Sequence, residues 1–445
     1  MLLPYPPRAS GFCRALRNCP ALLLLGFLSP GPAGATAAPM TIDRIENEVV
    51  INGRRDNQGW LEPAIGMIPG QQGRPPQVII RATMTTGNDV GPQFYLKTDD
   101  LGRTWSNPIL CQSWRKEPKE DHAFEEPWFG FHYHRKTGKF VAIGQTHFVR
   151  DGGGNHFNSG TTPRNPHHKN EGHYRSPNLR GRVVTSLWNP TRNDFEPWVA
   201  VDLPPDAHVS IYYNGQFHER EDGTLLIPGY YRGPQADGTN PAFTPITVLH
   251  FSFDGTNLKY LGHGSLHSVD TERGLAEPSL VSFGGKFFLT VRHNLRAYVT
   301  SGSDGLNFGE LVPWHFDNGE ELGNYNTQQK WLKHRDALYL VYNRRSELNN
   351  GVVRSRAPLF MAEVDPQTMR VKRATERIVF PEKRAQMGNF NVVTLSDQEA
   401  WITTGEWLQG MFPDSRKGDL FWVDSPSYNY LQYMGDLLLA RVYWK

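Results

Sequence analysis

Cysteine is nearly missing: three occur in 445 residues, and two of them, Cys13 and Cys19, fall within the first twenty. A chain processed beyond that point keeps only Cys111 and can form no internal disulfide. Charge of one sign is also missing. Lys and Arg total 47 against 45 Asp and Glu, with no long block of either, so composition offers no nucleic-acid partner and no polybasic membrane contact. There is no apolar run long enough to cross a bilayer as a helix, which excludes membrane insertion by that route. Helical periodicity is scarce throughout, and no cofactor fingerprint occurs.

The chain is rich in aromatics (12 Trp, 17 Tyr and 24 Phe), Gly (43) and Pro (33). That mixture fits many short strands joined by tight turns, and aromatic faces also suit the C–H faces of sugar rings. At the N-terminus Arg8, Arg14 and Arg17 precede the apolar stretch Ala21 to Leu28, followed by Ala35-Thr36-Ala37. Basic, apolar and small residues in that order predict a secretory signal peptide over 1–38, and hence a secreted or periplasmic protein. Neither early cysteine follows the apolar stretch, so no lipid anchor is expected.

A repeat runs through the rest. Each copy opens on a polar or Glu-Pro start, continues as an alternating strand, turns at Gly or Asp, and ends in a second strong strand. The copies begin at Glu62-Pro63, Glu126-Pro127, Asn214, Glu277-Pro278, Thr327 and Asn391. Six units of this kind predict an all-β, six-bladed β-propeller over 39–445, one domain closed into a ring. A long His- and Gly-rich insert around 146–183 interrupts it, carrying His147, His156, His167, His168 and His173. Its spacing fits no metal motif, so a loop over the channel and a solvated loop both stay open.

Between copies lies the octet Thr98-Asp99-Asp100-Leu101-Gly102-Arg103-Thr104-Trp105, with shorter versions at Ser252–Leu258 and Gly302–Phe308. Asp accepts backbone N–H groups, Gly takes φ > 0, and the aromatic plugs the space between sheets. In a propeller the inner strands converge on one channel. Glu62, Glu126 and Glu277 recur at strand entries, while Arg81, Arg292 and Arg344, with Glu406, recur at strand exits. Carboxylates and guanidiniums gathered around one channel suit recognition of an acidic sugar, since Arg offers a bidentate fork to a carboxylate.

The octet is the Asp-box (BNR repeat) pattern, and the chain resembles the sialidase (neuraminidase) superfamily from about Ile45 onward. The resemblance implies a six-bladed propeller that hydrolyses a terminal acidic sugar without a cofactor or metal. Residue by residue, Glu277 resembles the Glu that activates the family's nucleophilic Tyr, Arg292 resembles the second of its three substrate-binding Arg, and Arg356 resembles the third, with Arg344 and Arg345 as competitors. Asp89 resembles the acid/base Asp. Two positions depart from the pattern. Glu62 stands where the family's first Arg belongs, and Gly388-Asn389-Phe390-Asn391 stands where the Tyr belongs. Tyr325, Tyr212 and Tyr213 are the alternatives, and His293 beside Arg292 is a candidate proton carrier. The expected activity is therefore an exo-glycosidase on a glycan or polysaccharide. A propeller-type lyase acting on a uronate polymer and a glycan-binding propeller without catalysis are the two other readings.

Overall fold

The computed structural model describes residues 42–445 apart from 57, 86–90, 120–122, 151–180, 234–243, 350–351, 384, 409–410, 414–419 and 423–434. Among these residues the backbone is almost wholly strand, with one four-residue helix, Gly53–Asp56, and a few 3-10 turns. None of the described helices is long and apolar enough to cross a membrane. The expected leader, Asp89 and most of the insert lie outside the described residues. The strand leading into that insert, Lys139–Arg150, runs past the expected boundary at 146.

The six repeat copies are the two innermost strands of six antiparallel sheets. These pairs are Gly59–Ile68 with Gln77–Thr85, Ala123–His134 with Lys139–Arg150, and His218–Glu219 with Leu225–Tyr231. Around the other half they are Ala276–Phe283 with Lys286–Arg292, Lys330–His334 with Ala337–Tyr342, and Phe390–Thr394 with Glu399–Gly405. Neighbouring inner strands pack against one another around the ring. The sixth blade takes its third strand, Leu437–Trp444, from the C-terminus and its outermost, Ile42–Ile51, from the start of the described chain. This pairing, with Ile45 opposite Val442, closes the ring.

Each sheet is apolar on both faces near the middle, because both faces meet another blade. Among the described residues the result is six large hydrophobic clusters, one between each neighbouring pair of blades, and a small seventh of Trp128 and Tyr213. Trp401, Trp331 and Phe288 are among the largest side chains fully buried there. The octet forms the turn that its residues predict. Asp100 accepts from the Thr104 N–H at 3.0 Å and from its hydroxyl at 2.6 Å. Leu101 and Gly102 take φ of 59° and 72°, and Trp105 packs on Trp401 with ring centroids 5.9 Å apart. Asp254 and Asp304 accept paired backbone N–H groups in the same way.

Candidate active site

The dipeptide Glu-Pro lies near the start of three of the inner strands, and in two of them it forms a bulge. In the first blade Leu61 pairs with Thr83 and Ala64 with Arg81, so Glu62 and Pro63 together face a single residue. In the fourth, Ala276 pairs with Arg292 and Ser279 with Thr290, and Glu277-Pro278 forms the same irregularity. Proline has no N–H to give the ladder, and both glutamates adopt φ of 52°. A left-handed non-glycine residue costs roughly 1 kcal/mol, so each bulge is braced. The Glu277 N–H donates to the Tyr230 hydroxyl at 2.8 Å, and Arg81 donates to the Glu62 carbonyl at 2.7 Å. In the second blade Glu126 pairs in regular register with His147 and makes no bulge.

The Glu277 bulge carries its carboxylate into a group of guanidiniums. Arg292 donates through Nη1 to Glu277 Oε1 and through Nη2 to Asn326 Oδ1, the latter at 2.6 Å. Arg356 donates to the Asn326 carbonyl at 2.9 Å, which places Asn326 between the two arginines. Gly388 is needed under Arg356, because a Cβ there would stand 2.5 Å from Arg356 Cδ. Burial works to raise the Glu277 carboxyl, but Arg292, Arg273, Arg356 and Lys330 outweigh it and hold the group below its ordinary value. Arg273 is exposed. The like charge of Arg292, then burial, push its guanidinium down to about 10, with Arg354 adding to the repulsion.

Further in, Tyr213 donates its hydroxyl to Glu62 Oε2 at 3.0 Å across 151 residues of sequence. Its ring meets Trp128 edge-on at 5.2 Å and His147 at 6.2 Å. Tyr212 donates to Gln328 Oε1 at 2.7 Å. Lys330 is fully buried, bonds to the Asn214 carbonyl, and stands 5.2 Å from the Tyr212 ring centroid. Burial pushes its amine down to about 7 against the opposing pull of Glu277 and Glu62. Glu62 and Glu277 therefore share one electrostatic neighbourhood with Lys330 and Tyr212.

No protein-family model matches the sequence, and no curated protein matches it. Solved structures do match. The NanB sialidase from Streptococcus pneumoniae superposes with a TM-score of 0.54 at 12% identity, over 86% of this chain and 68% of that one. An intramolecular trans-sialidase from Ruminococcus gnavus does so with a TM-score of 0.50 at 9% identity, over 86% of this chain and 94% of the other. The fold is a sialidase-like six-bladed propeller. At such identities the likeness extends to the fold alone, and the chemistry rests on this chain's own side chains.

Of the residues expected from sequence, Glu277, Arg292 and Arg356 come together, and Glu62 lies in the same charged neighbourhood. Others have different places. Arg81, expected to bind substrate, is fully buried behind the Glu62 bulge and bonds to Gln93 at 3.0 Å. By register it sits two residues deeper than Arg292, so the two are not equivalent. Arg344, expected at the same ring, forms a two-bond pair with Glu376 at 2.7 Å each and stacks near Phe316 and Phe360. Glu406 pairs with Arg54 at 2.8 Å, and burial raises its carboxyl despite that partner.

Glu126 accepts from Trp128 Nε1 at 2.8 Å, with Lys116 at 3.7 Å, and burial raises its carboxyl too. His293, the candidate proton carrier, is buried with both ring nitrogens engaged: Nδ1 accepts from the Leu295 N–H and Nε2 meets Thr271. Tyr325 is half-buried, with its hydroxyl 3.3 Å from Ser355 Oγ and its ring under Arg345. Phe390, at the position of the family's Tyr, is buried in the cluster between the fifth and sixth blades. Sequence reasoning missed Arg273, Arg354, Asn326 and Lys330, and the pairing of Tyr213 with Glu62. Only the nearness of Arg273 to Glu277, and of Arg354 to Arg356, offered a signal. Among the described residues no group of three or more His, Cys, Asp or Glu is arranged to hold a metal.

Proposed function

We propose that the protein is a secreted or periplasmic exo-acting glycoside hydrolase that removes a terminal acidic sugar from a glycan. The carrying observation is the convergence of guanidiniums on Glu277. Arg273, Arg292 and Arg356 act on this carboxylate, and Arg354 adds its charge to Arg273. Guanidiniums converging on one strand end suit a substrate carboxylate or sulfate, which accepts from them bidentately. Arg273 and Arg354, both exposed, are the first to meet it.

Tyr213 and Glu62 supply the chemistry. A neutral phenol approaches an anomeric carbon beside a carboxylate without the repulsion that an anionic nucleophile meets, and sialidases use a Tyr nucleophile in this way. The Tyr213 oxygen bonds to the anomeric carbon as its proton passes to Glu62 Oε2. The glycosidic bond breaks, and the leaving oxygen takes a proton from an acid, either Asp89 or Glu126. Water then releases the sugar from Tyr213, and the phenol recovers its proton. Glu126 supports the acid role because burial favours its protonated form,.

Turnover of fluorogenic glycosides of sialic and glucuronic acid tests this. Tyr213→Phe and Glu62→Gln should each lower kcat by about 10²- to 10⁴-fold, and the double variant should lose little more, because the pair acts as a unit. Full turnover by Tyr213→Phe sinks the proposal. A lyase is the second reading, favoured by His147 beside Tyr213. There Tyr213 removes the proton next to a uronate carboxyl, and an unsaturated, ultraviolet-absorbing product marks that outcome.

A further inference from the structure

A cavity of about 480 Å³ lies at the other end of the inner strands. Phe283, His334 and Thr394, which end the inner strands of the fourth, fifth and sixth blades, line it. Glu277 and Phe283 are six positions apart on one strand, so the cavity stands roughly 20 Å from the arginine cluster. Its size falls in the range of small-molecule sites, about 300–1,000 Å³.

The lining has a definite chemistry. Lys333, Arg335, Asp336 and Asp397 all line it, so its formal charges cancel. Ser282, Thr394 and Ser396 add hydroxyls, and Phe283, half-buried, adds an aromatic ring. His334 is held flat against Trp444, with centroids 4.6 Å and planes 14° apart. Its Nε2 lies 2.7 Å from the Asp397 carbonyl, which can only accept, so Nε2 carries the proton,. A ligand satisfying such a lining must donate as well as accept. Hydroxyls do both, whereas a carboxylate or sulfate only accepts.

We propose that this cavity is a second saccharide-binding site, for one or two neutral sugar units. It lies too far from Glu277 for one sugar to touch both, so it anchors the protein to a neutral stretch of glycan and raises the local concentration of chain ends. The inference is independent of the Tyr213–Glu62 chemistry, because it is read by binding.

Lactose, cellobiose and diacetylchitobiose would be titrated into the intact protein by calorimetry and by ligand-observed NMR. At least one should bind with a Kd below about 10 mM. Ser396→Trp, which fills the cavity from an exposed position, should weaken that binding at least tenfold, and Tyr213→Phe should leave it unchanged. Asp336→Asn, also exposed, provides a milder variant with the same direction of effect should the tryptophan lower the melting temperature. Binding of none of the three sugars, or binding that persists in both cavity variants, overturns the proposal. So does loss of binding in Tyr213→Phe alone, which would place the sugar in the channel.

Discussion

Replacing Lys330 by Met removes a buried amine while keeping a chain of similar length. Burial lowers the amine to about 7 in the native protein, whereas a lysine in the unfolded chain titrates near 10.4. Between these values the unfolded chain holds one proton more than the native state, so this residue makes stability rise with pH by about 1.4 kcal/mol per pH unit. The native state therefore carries a cost from Lys330 that is fully present below pH 7 and vanishes above about 10.4, with a total on the order of 5 kcal/mol. Other titrating groups cancel when the variant is compared with the parent. From pH 7.5 to 9.5, the stability of the parent relative to Lys330→Met should rise by about 2.5 kcal/mol. For the roughly 330 described residues that corresponds to about 4 °C in Tm. Urea unfolding followed by tryptophan fluorescence at the two pH values reads it directly. A difference flat to within about 0.5 kcal/mol would refute the reasoning. The amine would then be charged across the whole window, held as an ion by Glu62 and Glu277.

Two further outcomes separate binding from structure. Gly388→Ala introduces a Cβ 2.5 Å from Arg356 Cδ, so Arg356 must shift, and KM for an acidic glycoside should rise several-fold with little change in Tm. Arg344→Met removes the two-bond partner of Glu376, a carboxylate only 14% exposed that keeps the Tyr342 hydroxyl at 2.6 Å and Arg373 at 3.9 Å. It should cost about 3 kcal/mol in urea unfolding while leaving kcat/KM for the same glycoside unchanged, and a tenfold fall in kcat/KM would return Arg344 to the site.

The ring of blades was legible because each copy repeats the same local physics: an alternating strand, a turn that needs Gly or Asp, and another strand. Its closure was not. Ile42–Ile51 reads as an ordinary strand, and nothing local marks Val442, almost 400 residues away, as a partner of Ile45. At the site, Glu277 and Arg292 were legible since they lie on two strands of one hairpin, and Arg356 was legible by resemblance. Tyr213 and Glu62 come from different blades, so their pairing depends on how the ring closes rather than on any spacing. Arg81 and Arg292 look alike at strand exits, but a two-residue difference in register buries one and brings the other to Glu277.

The three Glu-Pro dipeptides show why position in a repeat does not decide chemistry. In the first and fourth blades the bulge turns the glutamate left-handed, and what braces the bulge differs. Arg81 donates to the backbone of Glu62, while its carboxylate accepts a hydrogen bond from the Tyr213 hydroxyl. At Glu277 the brace is Tyr230 on the backbone N–H, and the carboxylate takes Arg292 instead. Without a bulge, Glu126 stays in register beside Trp128, buried, with its protonated form favoured. One dipeptide thus yields an ion held by arginines, an acceptor for a phenol, and a carboxyl biased toward neutrality. Environments that drive like groups apart are how acid, base and electrostatic roles come to coexist in one site. The neighbours that create them here, Arg292, Tyr213 and Trp128, are therefore as much a part of the site as the carboxylates.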